Sequence, residues 1–309
     1  MKRVLFLKIA VILFTLLVIL EIYLRAIWGF CDSVLMMESD KYEYIAQPNQ
    51  ERFRFRNHIL YNKYSMRTSE VDSSAMIILG LGDSVLNGGV AVDQDSLATT
   101  LLTSMIGKSL RRKVQVLNIS AGSWGPDNCY AYLQEKGDFN AKAMFLVVSS
   151  HDAHDNMDFG KVVDKALRYE SKQYKIAIVE LIHKYVIPEI LHRNQLEGIA
   201  IEKKGVAFNA GFKELAEYSR IKNIPFFVYL HPDINELAQH QYNSQGEEII
   251  NFCKENNIEC IQSLHSMSQE NYRGGIHLND SGQRKLAEDL YPALSDLFKH
   301  DNPVSTVTE

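Results

Sequence analysis

The sequence predicts a three-layer α/β/α domain with a central, mostly parallel five-stranded sheet, and a transmembrane helix ahead of it at the amino terminus. Short apolar runs alternate along the chain with helical patterns, as they do when strands buried on both faces are joined by helices. The predicted strands are residues 75–81, 114–119, 143–148, 225–230 and 258–261. The predicted helices are residues 97–110, 128–135, 210–220, 246–255 and 281–298. Ligands of such a sheet bind beyond the carboxyl ends of its strands.

An apolar stretch at the amino terminus predicts the membrane helix. Residues 4–24 are interrupted only by Lys8 and Glu21 and have about the length that crosses a bilayer. The uninterrupted part, residues 9–20, is also short enough for the apolar region of a cleavable signal peptide, but few small residues follow it, so we favour an uncleaved anchor. A buried helix of a cytoplasmic protein is disfavoured, because no polar face recurs at the helical period.

Basic residues set the expected orientation of this helix. Lys2, Arg3 and Lys8 place the amino-terminal tail in the cytoplasm, because cytoplasmic flanks of membrane helices are enriched in positive charge. Trp28 is expected near the far interface. The predicted location is therefore the cell membrane, single-pass, with the main domain extracytoplasmic (periplasmic).

The segment between the anchor and the sheet predicts an extended linker with a hairpin. Its alternating run, residues 52–56, suits an exposed strand, and Asn57 with His58 suits a turn into a second strand. The predicted organisation is an anchor, this linker and an α/β domain, at residues 1–30, 31–72 and 73–300.

One region of the α/β domain departs from the alternation of strands and helices. Residues 161–204 include a long apolar and basic stretch that contains Pro188. We interpret this region as a helical insertion, either a lid or a surface packed near the membrane.

Charge and cysteine content argue against binding of nucleic acid and against a zinc site. The formal net charge of -5 offers no basic field of the kind that collects phosphates, so nucleic acid is not expected. The four cysteines lack the paired spacing of a zinc site. Cys253 and Cys260 are interpreted as two buried thiols, with a disulfide in an oxidising compartment as the alternative.

The first predicted strand of the sheet runs into Gly82, Asp83 and Ser84, which places a serine at a strand tip where a helix begins. Glycine allows a tight turn there, and backbone N–H groups at a helix start favour a developing anion. Ser84 is therefore the candidate nucleophile. The tripeptide alone is weak evidence, because an ordinary helix cap has the same residues.

Two further strand tips carry small or polar residues. The second strand ends near Gly122, whose backbone N–H can approach an oxyanion closely. The third ends in a polar cluster, His151, Asp152, His154 and Asp155. A metal site in this cluster is disfavoured, because adjacent side chains at a strand tip point apart, and no metal is expected. The alternative interpretation is a hydrated loop.

His277 lies in a loop just before the last predicted helix. In a doubly wound domain this loop can fold back over the same strand tips and bring the imidazole to Ser84. A neutral imidazole beside a serine supplies the base that the hydroxyl needs. Ser84 and His277 are thus the candidate catalytic pair.

Together these segments resemble the SGNH (GDSL-like) hydrolase superfamily over residues 76–297. The blocks of that family are, in order, Gly-Asp-Ser, a glycine, Gly-x-Asn-Asp and Asp-x-x-His. Ser84 matches the nucleophile, Gly122 the glycine of the second block and His277 the base. The resemblance implies a flavodoxin-like SGNH fold and an esterase site that needs no cofactor.

Two positions depart from the family pattern. The third block aligns with residues 149–152, so His151 stands where the family has its oxyanion-hole asparagine, and one imidazole N–H could take over that role. Gly274 stands where the family has the aspartate of its triad. A Ser–His dyad remains, with an oxyanion hole of Ser84, Gly122 and His151. The candidates for a supporting carboxylate are Asp83, Asp152 and Asp155.

The resulting hypothesis is an extracytoplasmic serine ester hydrolase acting on acyl, above all O-acetyl, esters of a bacterial cell-surface glycan. The anchor and the segment around residues 64–67 also resemble membrane-bound members found with polysaccharide synthesis. An O-acetyltransferase with the same Ser–His pair is one alternative, and a catalytically inactive glycan-binding or scaffold protein is another. The expected partners are an acylated glycan or another small ester, and the membrane.

Overall fold

A long amino-terminal helix, α1 (Lys2–Trp28), precedes the folded domain in the computed structural model, which describes residues 2–190, 201, 203 and 205–299. The most apolar window of α1 packs against no other part of the described chain. Among the described residues, α1 is the one helix long and apolar enough to cross a membrane. It has the character of a signal anchor or a signal peptide.

Two antiparallel hairpins follow α1. They consist of β1 (Met36–Ser39) with β2 (Glu43–Ala46), and β3 (Gln50–Arg54) with β4 (Asn57–Tyr61). The predicted turn at Asn57 and His58 is wrong, because the second hairpin turns at Phe55 and Arg56, which both have positive φ as a two-residue type I′ turn requires. The predicted exposed strand is also wrong at Arg54, which is buried.

The central sheet contains five strands, all parallel, in the order β6-β5-β7-β8-β9. Their bounds are β5 (Met76–Gly82), β6 (Val114–Ser120), β7 (Ala143–Ser149), β8 (Phe226–His231) and β9 (Glu259–Gln262). Counted from the first strand of the sheet this is the 2-1-3-4-5 order of a flavodoxin-like, doubly wound sheet. The predicted fold class is confirmed. In this order the ligand crevice lies at the carboxyl ends of β5 and β7.

Helices cover both faces of the sheet. They are α2 (Ser84–Asn87), α3 (Ala98–Leu110), α4 (Pro126–Lys136), α5 (Ala177–Leu181), α6 (Ile187–Ile190), α7 (Gly211–Lys222), α8 (Ile234–Gln239), α9 (Ser244–Glu255) and α10 (Asp280–Lys299). Helices α3 and α10 pack on one face, and α4, α7 and α9 pack on the other. This is the expected three-layer arrangement.

The two cores follow from the alternation of side chains along each strand. Phe145 and Tyr229 face α3 and α10, whereas their neighbours Leu146 and Leu230 face the opposite layer. Side chains of the first two hairpins, among them Ile45, belong to the core on that opposite side. The hairpins are therefore part of the packed domain.

The region predicted as a helical insertion contains one continuous helical stretch, residues 177–190. It consists of α5, a π-helical segment (Ile182–Val186) and α6. Residues 191–200, 202 and 204 of the predicted insertion, and residue 300 at the predicted end of the domain, lie outside the described residues.

Cys253 in α9 and Cys260 in β9 face each other as free thiols. A hydrogen bond with Cys260, together with burial, raises the pKa of Cys253, so this thiol stays protonated. The prediction of two buried thiols is met at Cys253, which is buried, but not at Cys260, which is half-buried.

Candidate active site

Ser84 is the first residue of α2 and lies two residues beyond the end of β5, one of the two strands that flank the crevice. Asp83 caps this helix: its Oδ1 accepts a hydrogen bond from the Val85 N–H at 2.8 Å, and its Oδ2 lies 3.4 Å from the Ser84 hydroxyl. Asp83 is buried and Ser84 is half-buried. The turn between β5 and α2 thus both caps the helix through Asp83 and places the Ser84 hydroxyl at the edge of the sheet.

His277 reaches the same edge of the sheet on a small antiparallel hairpin. The hairpin pairs β10 (Tyr272–Gly274) with β11 (His277–Leu278), and β11 lies against α2 with Cα atoms within 8 Å. The structure therefore brings the His277 and Ser84 segments together. Among the described residues, the Ser84 hydroxyl donates to Asp83 and makes no direct hydrogen bond with His277.

The surroundings of His277 keep its imidazole neutral. Partial burial lowers its pKa from the usual histidine value, and the positive charges of Arg273 and Arg168 lower it further. A hydrogen bond with the backbone of Gly274 acts in the opposite direction. Because an imidazolium can only donate, this bond goes to a backbone carbonyl. The residue at the position of the missing aspartate thus holds the ring through its main chain.

A second histidine holds the loop that carries His277. His231, at the carboxyl end of β8, is fully buried and stacks on Tyr272, with ring centroids 5.2 Å apart. Burial lowers the pKa of His231 to about 4, so the ring is neutral. Its Nε2 is 3.0 Å from the carbonyl oxygen of Ile276 and donates to it. No sequence motif marks His231, which is a lone histidine at the end of an apolar run.

The polar cluster after β7 forms around His151. Its Nε2 lies 3.8 Å from Asp152 Oδ1 and 3.8 Å from Asp155 Oδ2. The other oxygen of Asp152 accepts the Ser149 N–H at 2.7 Å, whereas Oδ1 is buried without a hydrogen-bond partner. Asp152 and Asp155, candidates for supporting His277, therefore lie beside His151. His154 contacts Glu248 on α9, at 2.9 Å.

The carboxyl groups in this crevice hold their protons unusually tightly. Burial, followed by repulsion from Asp152, raises the pKa of Asp83 to about 7. Burial also raises the pKa of Asp152 well above its usual value, and it raises the pKa of Asp155 as well.

Ligand atoms of Asp83, His151 and Asp152 lie within 4.8 Å of one another, and these residue types suit a divalent transition metal.

Gly122 follows β6 and faces a tyrosine from the insertion. Its carbonyl accepts a 2.8 Å hydrogen bond from the Tyr44 hydroxyl, and Tyr44 packs edge-on against Tyr169. The hydroxyl of Tyr169 lies so close to Gly122 that an added Cβ would be 2.4 Å from it. Burial raises the pKa of Tyr169 to about 12, so this phenol keeps its proton. No motif surrounds Tyr169 in the sequence, so its position beside Gly122 is visible only in the fold.

Comparisons with known proteins give a structural similarity only. No protein-family profile matches the chain, and no curated protein matches it. The solved acetyl xylan esterase AlAXEase is similar at 15% identity and a TM-score of 0.43, over 71% of this chain and 100% of that one. TesA is similar at 13% identity and a TM-score of 0.45, over 72% of this chain and 99% of that one. The psychrotrophic esterase EstA from Pseudoalteromonas sp. is similar at 11% identity and a TM-score of 0.42, over 73% of this chain and 99% of that one. The fold assignment rests on the strand order of the chain itself.

Proposed function

We propose that this protein is an extracytoplasmic serine ester hydrolase of SGNH type, with Ser84 as nucleophile and His277 as general base. The observation that carries the proposal is the packing of the His277 strand against the helix that Ser84 begins, at the crevice of a doubly wound sheet. A half-buried hydroxyl and a neutral imidazole are what nucleophilic catalysis by serine requires.

The proposed reaction proceeds through an acyl-serine. Ser84 Oγ attacks the acyl carbonyl carbon while His277 accepts the hydroxyl proton. The oxyanion is held by the Ser84 and Gly122 N–H groups and by the His151 side chain. Collapse of this intermediate passes the proton from His277 to the leaving alcohol. Water, activated by His277, then attacks the acyl-serine and releases the acid.

The absence of a triad aspartate predicts a slow enzyme. Removal of the aspartate from a serine protease costs about ten-thousandfold in turnover, because the histidine loses its orientation. Here the main chain of Gly274 supplies a hydrogen bond to the His277 ring in place of a carboxylate. Part of the orientation is thereby retained.

The substrate class we propose is O-acetyl or related acyl esters of a cell-surface glycan. The support is the apolar helix α1, which as an uncleaved anchor would keep the crevice beside extracytoplasmic material. An O-acetyltransferase differs only in the acceptor, because a sugar hydroxyl then replaces water. Incubation with an activated acetyl ester, with and without a glycan acceptor, separates the two by the product, either acetate or acetylated sugar.

A non-catalytic glycan-binding or scaffold protein is the second candidate. It is favoured by Gly274 at the triad position and by the Ser84 hydroxyl being turned toward Asp83. The two candidates differ in whether Ser84 reacts.

A fluorophosphonate probe tests the proposal on the full chain purified in detergent. We expect covalent labelling that is abolished in Ser84→Ala and in His277→Ala, because both the hydroxyl and its base are needed. His265→Ala, at an exposed histidine in another loop, is the matched control and should label like the wild type. Folded wild-type protein that does not label would overturn the enzymatic proposal in favour of the binding one.

A further inference from the structure

The helix at residues 177–190 has its polar and apolar faces reversed relative to a helix on a water-soluble protein. Its buried face carries two charged residues, Glu180 and Lys184. Its exposed face carries a stripe of aliphatic side chains, each at least one-third exposed: Ile176 just before the helix, then Val179, Ile182, Val186, Ile187 and Ile190. The polar side chains exposed beside them are Glu189 and His183, and His183 hydrogen-bonds the Tyr174 hydroxyl. Water normally dictates the opposite arrangement.

The inward charges are satisfied within the protein. Glu180 Oε1 lies 2.7 Å from the Arg54 guanidinium and 3.2 Å from Lys184 Nζ. Lys184 also pairs with Glu170. Arg54 and Glu180 are almost completely buried, at 2% and 0% side-chain exposure. The charged face is therefore a structural attachment, whereas the side chains of the aliphatic face remain 36% to 69% exposed among the described residues.

The start of this helix is attached to α1. Glu21 of α1 caps it, since its two carboxylate oxygens accept the Ala177 and Ile178 N–H groups at 2.8 and 3.0 Å. Arg25, one turn further along α1, donates to the Lys175 carbonyl at 2.6 Å. The aliphatic stripe thus begins beside the carboxyl-terminal end of the apolar surface of α1.

We propose that the helix at residues 177–190 lies in the outer interface of the membrane, with its aliphatic stripe in the acyl-chain boundary. A stripe that continues the exposed apolar surface of α1 meets the same lipid as α1. At 1.5 Å per residue the helix is about 21 Å long, too short to cross the hydrocarbon core, so it lies along the surface. The inference rests on the membrane location in the proposed function.

Together, α1 and the helix at residues 177–190 would position the domain relative to the membrane. Leu24 of α1 is buried against Phe30 and Ala177, so the end of the anchor is part of the domain's own packing. A rigid attachment together with an interfacial helix sets the height of the domain above the bilayer. The crevice with Ser84 is then held at a constant distance from the membrane.

Tryptophan fluorescence in nanodiscs tests this placement on the full chain. The variant is Ile182→Trp, and the matched control is Ile221→Trp on α7, where the native side chain is 81% exposed. The nanodiscs contain phosphatidylethanolamine and phosphatidylglycerol, with or without bromine on the acyl chains. We expect brominated lipid to remove most of the emission added by Ile182→Trp and none of that added by Ile221→Trp.

Two outcomes would overturn the proposal. In the first, Ile182→Trp is quenched by aqueous acrylamide as strongly as Ile221→Trp and not by brominated lipid. In the second, Ile182→Trp is shielded from acrylamide but unaffected by brominated lipid, which would mean that a protein surface covers the stripe. Leu13→Trp in α1 is the reference. If brominated lipid quenches Leu13→Trp but not Ile182→Trp, α1 is in the membrane and only the placement of the helix at residues 177–190 is wrong. Labelling of Ser84 by the fluorophosphonate probe in the same samples tests the proposed activity separately.

Discussion

The hydroxyl of Tyr169 lies against the α-carbon of Gly122, with no room for a methyl group between them. A Cβ at Gly122 would be 2.4 Å from the phenol oxygen but 3.5 Å from the ring carbon that bears it. The phenol oxygen is therefore the atom that must shift if a side chain is added at this strand tip.

Gly122→Ala is expected to destabilise the protein by about 1–3 kcal/mol, the usual range for overpacking. In a Tyr169→Phe background the same substitution should cost much less, because the clashing oxygen is gone. Denaturant titrations of the two single variants and the double variant measure this coupling. Equal penalties for Gly122→Ala in both backgrounds would show that Tyr169 is not what excludes the methyl group.

The lowered pKa of His277 predicts the pH dependence of hydrolysis. A general base acts when neutral, so kcat/KM should rise with pH and level off once His277 is deprotonated, with an inflection below the ordinary histidine pKa of about 6.5. Arg273→Gln removes a nearby positive charge and should move the inflection to higher pH. The profile is measured with an activated acetyl ester. Arg220→Gln, on the distant α7, should leave it in place, and an inflection insensitive to Arg273→Gln would contradict the prediction.

The raised pKa of Asp83 predicts that this residue favours folding more at low pH. Its carboxyl binds a proton more tightly in the folded chain, with a pKa of about 7, than in the unfolded chain. That contribution is complete below the unfolded pKa of about 3.9 and is lost as the pH rises through about 7. Asp83→Asn keeps an oxygen for the Val85 N–H and removes the titration.

Unfolding free energies at about pH 5 and about pH 8 measure this effect. On going to the higher pH, the wild type should lose stability relative to Asp83→Asn. The exposed Asp95→Asn serves as control and should follow the wild type. A constant difference between wild type and Asp83→Asn at both pH values would contradict the pKa shift.

The buried pair of Arg54 and Glu180 predicts a large loss of stability when one partner is neutralised. Glu180→Gln leaves the Arg54 guanidinium without its counter-charge and should cost about 3–5 kcal/mol. The exposed pair of Lys63 and Glu70, 3.9 Å apart, is the comparison, and Glu70→Gln should cost at most about 1 kcal/mol. Thermal unfolding of the full chain in detergent compares the two. Similar losses for both variants would argue against burial as the cause.

Local patterns in the sequence were sufficient for the order of strands and helices. The run that forms β6 (Val114–Ser120) is apolar because both faces of the strand are covered, and that composition is visible without a structure. The turn at Phe55 and Arg56 was missed because neither residue type favours positive φ, and the pairing of two strands determines where the chain reverses.

The candidate site was only partly contained in the sequence. By itself the sequence predicted the strand tips, and so the placement of Ser84, Gly122 and His151 at one edge of a doubly wound sheet. The tertiary structure alone decided that β11 brings His277 to α2, that Tyr169 covers Gly122, and that the helix at residues 177–190 turns its aliphatic side outward. The reason is physical. The hydrophobic periodicity of a segment indicates which of its faces is buried. Contacts between residues far apart in the chain depend instead on how all the segments pack together.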